Sequence, residues 1–132
     1  MTTDLTMLTW TAAFTAVLWL PYISAHILNV GLMEAVTYRA DAAPRPAWAE
    51  RARKAHYNAV ENLAPFAALV IVAHLTGAAN AATAAAAIVY FWARVAHFGL
   101  YVAGVPFGRT TAFAVGWAAM ACIFWQIVTK VA

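Results

Sequence analysis

The chain has 132 residues, of which 65% are hydrophobic and 10% charged, with a formal net charge of +3. That length suits one domain, and a mean hydropathy of +0.73 excludes an ordinary soluble enzyme and a disordered chain. A basic excess set against apolar runs is an orientation signal for a membrane protein, so nucleic-acid binding is not expected.

About 20 apolar residues cross a hydrocarbon core of roughly 30 Å. Leu5 to Met33 is free of charges between Asp4 and Glu34, which predicts a first helix over about 5–36. The N-terminus lacks the basic n-region of a signal peptide and the run is too long for one, so this helix is expected to stay in the mature protein. "DAAPRPAW", Asp41 to Trp48, reads as an exposed, proline-stiffened loop and a candidate lid.

A second apolar run, Asn62 to Ala93, is too long for one helix, and "TGAAN" at Thr76 to Asn80 breaks it, which predicts helices over about 50–76 and 81–103. The last run, Thr110 to Thr129, lies between Arg109 and Lys130 and predicts a fourth helix over about 110–129. The expected fold is an all-α, four-transmembrane-helix bundle in one domain, residues 1–132. Single features carry less. Cys122 reads as a small packing residue, and the tryptophans read as anchors at the membrane interface and lipid contacts.

Lys and Arg fall around the first loop (Arg39, Arg45, Arg51, Arg53, Lys54) and the third (Arg109). Those loops are therefore expected on the cytoplasmic side and both termini away from it. In that topology Lys54, Asn58 and Glu61 occupy the first turns of the second helix, on one face by their spacing of four and three. Tyr90, Arg94, His97 and Tyr101 form a single stripe at the same depth on the third helix. Taken singly, each fits a structural pair such as Glu61 with Arg94, or an interface anchor. Taken together, one carboxylate against Lys54, Arg94 and Arg109 leaves surplus positive charge, which suits an anionic, strongly hydrogen-bonding ligand in a shared pocket.

"RKAHYNAVENLAPF", "RVAHFGLY" and "GRTTAF" resemble the MAPEG family, the membrane-associated proteins of eicosanoid and glutathione metabolism, in its microsomal glutathione transferase and prostaglandin E synthase branch. The likeness covers about Arg51 to Gly116. It implies a homotrimer with glutathione bound between subunits near the cytoplasmic face and a lipophilic substrate arriving from the membrane lipid. On the family's pattern Lys54, His56, Asn58, Glu61, Arg94, His97 and Tyr101 would hold glutathione, with Glu61 suited to its amino group, and Tyr90 joins the expected cofactor-binding set from its place in the stripe. Lys54 stands where the family usually has Arg. Arg109 matches the arginine beside the sulfur, and Thr110 follows where the synthase branch has Ser. No metal site is implied. The alanine-rich, arginine-over-lysine composition is in keeping with a bacterial source and an inner-membrane location.

A thiol with a pKa of about 8.5 is mostly protonated at neutral pH, and a nearby cation or hydroxyl donor favours the reactive thiolate. Arg109 would supply charge, and Thr110 or Tyr101 a hydrogen bond. The chain has no plausible catalytic Cys, so the sulfur would come from the bound cofactor. The leading expectation is a glutathione-dependent transferase or peroxidase acting on hydrophobic electrophiles. The alternative is a non-catalytic trimer that binds lipid or glutathione without turnover. A small transporter or a haem carrier using His26 and His97 is disfavoured, because helix 1 has no acidic residue at depth and a lone His on a membrane helix more often bonds a neighbouring helix.

Overall fold

The computed structural model describes residues 1–37, 39 and 43–131. Its elements in chain order are α1 (Thr3–Val17), α2 (Leu20–Val30), α3 (Leu32–Ala35), α4 (Ala47–Leu75), α5 (Ala81–Ala103) and α6 (Pro106–Val131), and no strand occurs among the described residues. Four helical stretches are long and apolar enough to cross a bilayer: Thr3–Val30, which takes in α1 and α2, and then α4, α5 and α6. Asp41 and Ala42, in the segment expected as a lid, lie outside the described residues.

The first span is not the continuous helix expected over 5–36. Pro21 has no N–H to give the carbonyl of Val17, and its ring crowds that carbonyl, so α1 ends there. The N–H of Leu18 closes a tighter bond to Thr15 at 3.3 Å, and α2 restarts with Pro21 in its first turn. Gly31, at φ 88°, then separates α2 from the single turn of α3.

The remaining turns are short and chemically specified. At the end of α4, Gly77 takes φ 71°, and the N–H groups of Ala78 and Gly77 bond the carbonyls of Ala73 (2.8 Å) and His74 (3.3 Å), which satisfies the helix's last carbonyls. Asn80 then opens α5. Its Oδ1 accepts from the N–H of Ala82 (2.7 Å) and Thr83 (3.1 Å), and Thr83 Oγ1 accepts from the Asn80 N–H at 2.8 Å, a reciprocal cap. Gly104, at φ 76°, closes α5. Pro106 starts α6 at once, a turn earlier than the charge pattern indicated, because a first-turn proline needs no N–H partner.

The α5–α6 hairpin packs most extensively, with α1 laid across α4 and α5 and α2 against α4. Two apolar clusters result. Phe66, Val70, Ala87, Tyr90 and Ile123 fill one, and Tyr22, Ala25, Ala49 and Ala52 the other. Along α4 and α5 the stretch between these clusters is where Asn58, Arg94 and His97 fall. All six tryptophans are exposed, as lipid-facing anchors would be.

Candidate functional site

The α5 stripe faces inward. Tyr90, Arg94 and His97 are buried and Tyr101 is half-buried. Tyr90 stacks on Phe66 with ring centroids 3.8 Å apart and donates its hydroxyl to the carbonyl of Asn62 at 2.9 Å. Its polar atom is committed, so Tyr90 acts as a floor beneath Arg94. The Arg94 guanidinium is only 3% exposed. Nη1 donates to Oδ1 of Asn58 at 3.2 Å, and the faces of Tyr90 and Phe113 lie with centroids 5.4 and 5.5 Å from its Cζ. Its Nε has no hydrogen-bond partner among the described residues. A cation at this depth is ordinarily matched by a carboxylate. Here its partner is a neutral amide.

His97 meets the ring of Tyr101 edge-on, with centroids 5.5 Å apart, and the Arg109 guanidinium lies over the same Tyr101 ring, its Cζ 4.5 Å from the centroid. Thr110, exposed, donates its hydroxyl to the carbonyl of Pro106 at 3.1 Å, a local helix bond that uses its proton. Arg109 and Thr110 thus sit in the first turn of α6, beside the end of α5 that the Gly104 turn brings to them.

On α4 the expected set splits. Asn58 is half-buried against Arg94, whereas Lys54 and Glu61 are exposed. The ion pairs among the described residues are Arg39–Glu34 and Arg53–Glu50, so Glu61 does not neutralise Arg94 within one chain. The shared pocket expected from the two stripes is correspondingly not enclosed by the chain alone. Among the described residues an apolar groove of about 600 Å³ lies instead between α5 and α6, lined by Trp92, Ala93, Ala96, Leu100, Gly108 and Val115.

Several contacts were not evident from the sequence. Tyr22 on α2 bonds Nδ1 of His56 through its hydroxyl at 2.9 Å, which orients the ring. Arg51 donates from Nε to the carbonyl of Val102 at 2.9 Å, clasping the start of α4 to the last turn of α5. Phe113 covers Arg94 from α6. An aromatic one helical turn beyond Arg109 is the only sign of it in the sequence.

Four helices long and apolar enough to cross a bilayer, packed around the buried Arg94, define an integral membrane protein. The chain belongs to the MAPEG family, whose family model matches residues 8–129. Searches of curated proteins and of solved structures gave no match.

Proposed function

We propose that the protein works as a homotrimer that holds glutathione between protomers and delivers its thiol to hydrophobic electrophiles, as a transferase or peroxidase. The observation that carries this reading is Glu61. It lies midway along the 29-residue helix α4, exposed and in no ion pair among the described residues. A carboxylate left toward lipid at that depth is costly, so it is matched by another chain or a ligand.

The surrounding pattern supports the same conclusion. Lys54, Tyr57, Glu61, Ala64, Ala68, Ile71 and Leu75 are all exposed and follow one another at alternating steps of three and four. That spacing is the seam along which helices of separate copies pack side by side.

The donor set fits glutathione, which carries two carboxylates and one ammonium. Lys54 meets a carboxylate as a point charge, Glu61 takes the ammonium, and Asn58 and His56 supply hydrogen bonds. Tyr90, Arg94 and His97 form the buried base of the cradle. Glutathione, when bound, supplies the thiol nucleophile. Arg109 lowers the cost of negative charge on that sulfur, and Tyr101 donates the hydrogen bond, since the Thr110 proton is already directed to Pro106. Topology by the positive-inside pattern puts this end of the bundle at the cytoplasmic face, both termini opposite, in what we read as a bacterial inner membrane.

The test pairs calorimetry with conjugation of a chlorodinitrobenzene by purified trimer. Binding with turnover that Arg109→Ala lowers about 10²- to 10³-fold supports the reading. Absence of both binding and turnover refutes it. Binding without turnover supports the second reading, a non-catalytic trimer, which is favoured by the engagement of Arg109 over the Tyr101 ring.

A further inference from the structure

We infer that Gly116 on α6 is a positioning residue: the space left by its missing side chain is the berth of the Arg94 guanidinium, and through Arg94 it fixes how Asn58 meets a ligand. A Cβ at Gly116 would stand 2.7 Å from Nη2 of Arg94, 3.2 Å from Nε and 3.3 Å from Cζ. These atoms are not the free end of a swinging chain. They are held by Asn58 at 3.2 Å on one edge and by the rings of Tyr90 and Phe113, in a setting only 3% exposed. An added methyl therefore displaces the guanidinium from its bond to Asn58.

The effect on Asn58 follows from hydrogen-bond inventory. A guanidinium only donates, so the amide must turn its oxygen to Arg94. What the fixed amide offers a ligand is chiefly its NH₂ end, which favours a carbonyl or carboxylate over an ammonium, since Oδ1 keeps only one free lone pair. With Arg94 displaced, the amide is free to present either end and that selection is lost. The ligand half of this inference rests on the glutathione reading above, whereas the berth itself does not.

Gly99 supplies an internal control, because a Cβ there has no neighbour within 4 Å. Alanine for glycine in a helix is ordinarily stabilising, so a loss at Gly116 runs against backbone preference. Glutathione affinity and the thermal midpoint are measured for wild type, Gly116→Ala, Arg94→Met, the double variant and Gly99→Ala.

Gly116→Ala is expected to lower the midpoint and weaken glutathione binding on the order of tenfold. In the Arg94→Met background the same change should cost nothing further, and Gly99→Ala should leave both measurements at or above wild type. If Gly116→Ala fails to fold, its restoration by Arg94→Met supports the berth and failure to restore overturns it. Equal losses in both backgrounds, or no loss in either, also overturn it. A wild type that does not bind glutathione refutes the proposed function, while the midpoint cycle still decides the berth.

Discussion

Arg94 donates to the amide oxygen of Asn58 at 3.2 Å, while Glu61, one helical turn beyond Asn58 on α4, is exposed. The buried cation is thus held by a neutral partner, and the nearby carboxylate faces away from the interior of the bundle. A charge arrangement of this kind leaves the carboxylate available to something outside the single chain.

Replacing Arg109 by Ala separates chemistry from binding. Within the protomer its described aromatic contact is the Tyr101 ring, so the fold should tolerate the change. Conjugation is expected to fall about 10²- to 10³-fold, as for loss of one preorganised donor at a developing charge. Glutathione affinity should stay within a few fold. A steady-state assay with parallel calorimetry reads both, and unchanged turnover rejects the role given to Arg109.

Glu61→Gln keeps the shape and removes the charge. Loss of one charge-assisted contact to an ammonium should weaken glutathione binding roughly 10- to 100-fold. Native mass spectrometry should still find the wild-type oligomer. Equal affinity in the variant would mean that the ammonium is bound elsewhere.

Tyr22→Phe deletes the hydroxyl that bonds Nδ1 of His56 and leaves the ring packing intact. The cost to stability should be about 1 kcal/mol, read from the denaturant midpoint. Because Tyr22 lies on α2 and His56 on α4, a change in His56 ring resonances without a change in helix content would show that the bond orients the imidazole.

Asn80→Ala removes the acceptor that caps α5 along with its 2.8 Å bond to Gln126. A loss of about 1–2 kcal/mol is expected. Asn80→Asp should cost less, since the carboxylate still caps the N–H groups and only the donor to Gln126 is gone. Thermal unfolding followed by circular dichroism compares the two.

The bundle was largely legible because charge-free runs and helix breakers are properties of the linear chain. Asp4 and Glu34 frame the first span, "TGAAN" marks the α4–α5 turn, and Arg109 and Lys130 frame the last span. The break at Pro21 was not, since a proline within an apolar run bends some membrane helices and divides others, depending on what receives the freed carbonyl. The candidate site was legible as faces rather than partners. Spacing places Asn58 with Glu61 and Arg94 with His97, but helical periodicity does not say that Arg94 turns to Asn58 and leaves Glu61 outside. The contacts of Tyr22 and Phe113 depend on how separate helices dock, which no single-helix pattern encodes.

The clasp from Arg51 to the carbonyl of Val102 joins two ends that are remote in the chain, and α6 resumes at Pro106, directly after Gly104 and Val105. The leash between that fastening and Arg109 consequently has almost no slack. Lengthening it by an inserted glycine would let the Arg109 guanidinium slide off the Tyr101 ring, so the span of this connection sets how firmly the two helix ends are held together.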